Sequence, residues 1–94
     1  MRTLRYSDRG IVELLEAIDY YETQKVGLGG EFLRLFKSIT DNVLVYLQMY
    51  PTHRGSVRYA FMRKLPYDIF YSLEDDTILI VSVFQASQNP KSKP

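Results

Sequence analysis

Ninety-four residues give room for one domain with one modest core, and 46% apolar residues are ordinary for a globular chain of that length. Cysteine is absent, which excludes disulfide staples, thiolate metal sites and thiol catalysis, and which suits a reducing compartment. Twelve Lys and Arg against eleven Asp and Glu leave a formal charge of +1, far from the basic excess of a chain that binds nucleic acid mainly through phosphates. No stretch approaches the roughly 18–20 apolar residues of a membrane span, and Met1 to Arg5 has no apolar signal-like run, so a cytoplasmic location without membrane contact is expected.

Thr3 to Tyr6 alternate polar and apolar residues and predict a short opening strand. Ser7 can cap a helix, and Asp8 places negative charge at the positive end of its dipole. The inner face of that helix is expected to be Ile11, Leu14, Leu15, Ile18 and Tyr21, with Glu13, Glu16, Asp19 and Glu22 turned away. Gly27-Leu28-Gly29-Gly30 interrupts it, and a second helix starts at once. Phe32, Phe36, Ile39, Val43, Leu47 and Tyr50 repeat at close to 3.6 residues, widened by Leu35, Leu44 and Tyr46, until Pro51 ends the run. Two such helices joined by a few residues predict an antiparallel hairpin.

After a polar loop, Thr52 to Ser56, the period changes to two. Val57, Tyr59 and Phe61 alternate with Arg58, Ala60 and Met62; Tyr67, Ile69, Tyr71 and Leu73 alternate with Asp68, Phe70 and Ser72. Glu74 to Thr77 carries hairpin-turn chemistry into Ile78 to Phe84, a run apolar on both faces and therefore placed inside the sheet. The order β-α-α-β-β-β gives an α+β class, a helical hairpin on one face of a mainly antiparallel sheet. A single domain is expected over residues 1–90, with Lys91 to Pro94 as a disordered polar tail.

Several chemical motifs dissolve in this context. The glycine cluster joins two helices, whereas a phosphate loop follows a strand, so it reads as a turn. His53 stands in the polar loop without a second ligand or nucleophile nearby in sequence and reads as an exposed loop residue. Asp75 and Asp76 are turn formers, since paired carboxylates for acid–base work must converge from separate elements. Neither a metal nor a cofactor is implied. Arg54, Arg63 and Lys64 read as solvated charges, while Arg58 lies within a strand, where a charged side chain requires water or a partner. The many tyrosines fit core and rim positions, and any exposed subset fits a protein interface.

Four segments in order carry a resemblance. Glu16-Ala17 through Tyr20-Tyr21 resembles a first-helix signature, and Gly27-Leu28-Gly29-Gly30-Glu31-Phe32 resembles an inter-helix "GLG-x-E-F" segment. Arg58 through Leu65-Pro66-Tyr67-Asp68-Ile69-Phe70-Tyr71 is similar to an "R-x(n)-F-P-Y-x-I-x-Y" hairpin, and Val83 through Pro90 to a "V-x-H-x-S-R-x-P" strand end. Over about Leu4 to Pro90 the chain thus resembles the RelE/ParE superfamily of toxins from type II toxin–antitoxin, or plasmid-stabilisation, systems. The resemblance implies a cognate antitoxin that covers apolar surface, with Tyr20, Tyr21, Tyr46 and Tyr50 as its expected contacts, and assembly as a toxin–antitoxin heterotetramer.

The departures bear on mechanism. Gln85 and Gln88 stand where many relatives have histidine and arginine, and glutamine offers neither a titratable proton nor a charge. Tyr59, Phe61 and Asp68 stand where the RelE-type messenger-RNA nucleases carry sheet lysines and an arginine. ParE-type relatives inhibit growth by binding DNA gyrase without that catalytic set, and a near-neutral chain fits a protein target better than ribosomal RNA. The leading expectation is therefore a non-enzymatic, ParE-like toxin that contacts its target through Arg58, Arg63, Lys64, Gln85, Ser87 and Gln88. The alternatives are a ribosome-dependent nuclease using Arg58, Tyr59, Tyr67 and Ser87, or a decayed toxin that only binds antitoxin.

Overall fold

A computed structural model describes residues 2–86 and residues 91, 93 and 94; Ser87 and Gln88, two of the expected site residues, lie outside the described residues. In chain order the elements are β1 (Thr3–Tyr6), α1 (Asp8–Gln24), α2 (Leu28–Tyr46), a 3-10 turn (Leu47–Met49), β2 (Thr52–Arg54), β3 (Val57–Met62), β4 (Tyr67–Glu74) and β5 (Thr77–Gln85). The strands form one sheet in the order β1-β5-β4-β3-β2, with β1 parallel to β5 and every other pair antiparallel. The α+β class and the interior place of the last strand are as the sequence predicts. Among the described residues no helix is long and apolar enough to cross a membrane.

Local chemistry explains the joints. Ser7 Oγ accepts from Gly10 N at 2.9 Å and donates to Val81 O at 2.8 Å, so the residue that caps α1 also ties its start to β5. The Glu22 carboxylate accepts from Gly27 N and Gly29 N at 3.0 Å, capping the positive end of α2 from the end of α1. Gly27 itself sits at φ 93°, a left-handed geometry that a side chain resists.

The core lies between the helices and one face of the sheet. Phe32, Phe36 and Val43 of α2 and Leu14 and Ala17 of α1 meet Ala60, Met62, Ile69, Tyr71, Ile78 and Ile80. The inner face of α1 differs from the predicted one: Gly10, Leu14 and Ala17 are buried, while Ile11 and Leu15 are exposed. The cause is close approach. A Cβ on Gly10 would stand 2.5 Å from Ile80 O, so α1 touches the sheet through its small residues and the bulky ones rotate outward. Glu13, expected to face away, is half-buried and accepts from Val83 N at 3.0 Å, covering the edge of β5 beyond the end of β1.

Two further expectations change. The run before Pro51 leaves the α-helix at Tyr46 and finishes as the 3-10 turn, consistent with the bias against α geometry that proline imposes on its predecessor. Part of the predicted polar loop is strand: Thr52 pairs with Arg58 and Arg54 with Val57, an edge too short to show a period of two.

Candidate functional site

A groove of about 440 Å³ lies between α2 and the end of β3. Leu35, Ile39, Met62 and Leu65 line it, Tyr50 and Phe61 stand at its sides, and Arg63 and Lys64 from the β3–β4 turn add charge. Asn42 and Tyr50 also line a shallower concavity with Tyr46 and Met49, and Asn42 Nδ2 donates to Tyr50 Oη at 2.6 Å. Leu35, Lys64 and Leu65 likewise line a smaller concavity beside Leu28 and Phe32. Tyr46, Met49 and Phe61 are 51%, 79% and 49% exposed, so this flank presents large apolar side chains to water.

Arg58 is bound to the fold. Its guanidinium donates to Tyr50 O at 2.6 Å, and its register partner Tyr71 donates through Oη to Leu47 O at 2.8 Å. The two bonds fasten the 3-10 turn to the sheet and satisfy a charge that a strand position would otherwise leave half-buried and alone. Burial pushes the Tyr71 phenol up to about 12 against the nearby Arg58 charge.

At the opposite end of β4, Tyr67 is 6% exposed and packs edge-on against Phe32 and Tyr21, with ring centroids 5.1 and 6.1 Å apart. Burial first, then the neighbouring Tyr21 and Tyr20, push its phenol up to about 12. A pocket of about 200 Å³ opens here, lined by Glu13, Glu16, Ala17, Tyr20, Tyr67, Val83 and Gln85.

The expected residues therefore separate. Tyr71 and Tyr67, the register partners of Arg58 and Met62, are four residues apart on β4, so Arg58 and Tyr67 are roughly 13 Å apart along the sheet. Tyr59 belongs to the other face, where its ring lies 5.9 Å from Phe70. Arg58, Tyr59 and Tyr67 do not converge on one reacting centre. The four tyrosines expected at an antitoxin interface also divide: Tyr46 and Tyr50 flank the α2 groove, Tyr20 lines the small pocket, and Tyr21 stacks on Phe32 at 5.4 Å. Arg63 and Lys64 lie together at the groove and do not line the Gln85 pocket.

The sheet face away from the helices holds residues the sequence did not single out together. Phe70 and Phe84 are 1% and 0% exposed, and the His53 ring lies 4.7 Å from Phe70. His53 is thus a half-buried strand residue rather than an exposed loop one, because β2 pairs with β3 and carries it over the sheet. Its Nε2 is 2.7 Å from Pro94 O, in the segment expected to be a free tail. Burial raises the Asp68 carboxyl above its ordinary range, while Lys93 and His53 pull it down. Only strand pairing gathers these residues, so no spacing in the sequence announces them.

No family model matches the chain, and no curated protein does. Solved structures do. A chain described as the chromosomal ParDE TA system from P. aeruginosa superimposes with a TM-score of 0.67 at 14% identity, over 93% of this chain and 98% of that one. The isolated E. coli RelE toxin superimposes with a TM-score of 0.69 at 16% identity, over 97% of this chain and 90% of that one. The helical hairpin on a five-stranded mixed sheet is the fold of the RelE/ParE toxins.

Proposed function

We propose that the chain is the toxin of a type II toxin–antitoxin pair, and that it acts by binding DNA gyrase in the ParE manner rather than by cutting RNA. The observation that carries this reading is the groove beside α2. Leu35, Ile39, Phe61 and Leu65 offer an apolar trough, with Tyr46 and Met49 exposed beyond it. A surface of this kind suits an amphipathic segment laid into it, and Arg63 and Lys64 suit acidic residues on that segment. An antitoxin would be that partner, in a heterotetramer or a simpler complex.

The binding mode draws support from what Arg58 and Tyr67 already do. A nuclease needs a cation free to meet phosphate and a group able to exchange protons near neutrality. Here the Arg58 guanidinium is committed to Tyr50 O, and the Tyr67 phenol is pushed up to about 12. Gln85 at the end of β5 adds neither charge nor proton.

A second reading, the ribosome-dependent nuclease, is favoured by one observation: Tyr59, His53 and Asp68 share the open face of the sheet. One experiment separates the two. Purified chain is added to gyrase and relaxed plasmid, with antitoxin-bound chain as the control. The binding reading expects inhibited supercoiling and cleaved plasmid, both reversed by antitoxin. Normal supercoiling with intact plasmid, together with messenger cuts in a translating extract, would overturn it.

A further inference from the structure

The pocket between α1 and the ends of β4 and β5 has a chemistry different from that of the α2 groove. β1 stops at Tyr6, paired with Ile80, so β5 runs on past its neighbour and α1 forms the next wall. Ala17, 3% exposed, contributes almost no bulk there, and Tyr20 and Tyr67 supply aromatic walls.

The acceptors in this pocket outnumber the donors that reach them. Glu13 is occupied: one oxygen takes Ser82 Oγ and Val83 N, the other takes Arg9 Nε. Glu16 forms no ion pair among the described residues. Tyr67 is 94% buried by its 6% exposure, yet its hydroxyl has no hydrogen-bond partner among the described residues. No fully buried side-chain polar atom among the described residues lacks a partner, so this oxygen is not sealed in the core, and Tyr67 is a wall of the pocket. Gln85 adds an amide oxygen at the mouth.

An uncompensated carboxylate, a neutral phenol and an amide oxygen, set between two aromatic rings, select for a flat cation with several donors. An anion would meet Glu16. A neutral amide would leave that carboxylate unpaired. An ammonium is a compact point charge, whereas a guanidinium stacks on a ring and donates in several directions within its plane. A cavity of about 200 Å³ is small, which suits one side-chain head group and not a nucleotide.

We propose that this pocket binds the guanidinium group of an arginine side chain carried by a protein partner. Glu16 pairs with its charge, Tyr20 stacks on its plane, and Tyr67 Oη and Gln85 Oε1 accept from its edge. The site is separate from the α2 groove and does not depend on gyrase being the target.

The test titrates N-acetyl-arginine amide into the intact chain and follows the Gln85 side-chain amide and the Tyr20 ring by NMR. Saturable shifts in the millimolar range are expected, about tenfold stronger than with the neutral citrulline analogue and stronger than with the lysine analogue. Glu16→Gln and Tyr20→Leu should each weaken binding about fivefold, and both positions are exposed, so the variants keep the fold. Tyr67→Phe should weaken it with little change in Tm. Equal binding of citrulline or lysine, or arginine binding indifferent to both Glu16→Gln and Tyr20→Leu, would overturn the assignment.

Discussion

The two faces of the sheet are closed by different means. On the helix side, Ile69, Tyr71 and Ile80 are sealed by long elements whose own apolar stripes, around Phe32, Phe36 and Val43, continue the core. On the open side, Phe70 and Phe84 are 1% and 0% exposed with neither α1 nor α2 above them. Single side chains surround them instead: His53 and Tyr59 at Phe70, with the Lys93 charge felt at Asp68 beside Phe84 in the register. A face closed by helices is rigid because each side chain is held by many neighbours. A face closed by a few partly exposed side chains can be opened at the cost of those few contacts.

The largest test of that contrast is a matched pair of truncations read by urea unfolding. Phe36→Ala should cost about 3–5 kcal/mol, because the surrounding helices and strands cannot close the space. Phe70→Ala should fall at or below about 3 kcal/mol, since His53 and Tyr59 are free to settle into the gap. Equal losses would mean that the open face is as firmly packed as the core. A smaller pair probes the seam of α1. Gly10→Ala should cost about 1–3 kcal/mol, as its Cβ would meet the Ile80 backbone at 2.5 Å. Gly30→Ala, exposed in α2 with nothing nearer than Arg34 at 3.8 Å, should stabilise by about 0.5–1 kcal/mol in the same measurement.

These glycines also mark where the sequence stopped being legible. Signals that act within a few residues read correctly: Ser7 and Asp8 at the start of α1, Gly27 before α2, and the turn at Asp75, which takes φ 55°. The inner face of α1 did not, because a list of bulky apolar residues overlooks Gly10 and Ala17, and contact through small residues turns Ile11 and Leu15 to water. The site suffered more. Tyr20, Tyr67 and Gln85 each stood out singly, under different roles, and only tertiary packing makes them walls of one pocket. Nothing in the sequence joined His53 to Asp68, since β2 is three residues long and only its pairing carries His53 over the sheet. Arg58 was the correct residue to question, and its partner proved to be a backbone carbonyl, which no side-chain pattern encodes.

The smallest expected effect is the most specific to the open face. The Asp68 carboxyl is raised above its ordinary 3.8 by burial, with Lys93 and His53 pulling the other way and not prevailing. The folded chain therefore holds a proton there more tightly than the unfolded chain does, and the stability this contributes is complete below the unfolded value. It is lost as pH rises through the folded value, so near neutrality the charged carboxylate is a net cost to the fold. Asp68→Asn should then raise Tm at pH 7, and the advantage over the native chain should shrink as pH falls below 3.8, where both carry a neutral group. Melts across that range decide the matter. A lower Tm for Asp68→Asn at pH 7 would mean that Lys93 and His53 outweigh burial, and that charge pairing, rather than the aromatic floor of Phe70 and Phe84, is what holds this face closed.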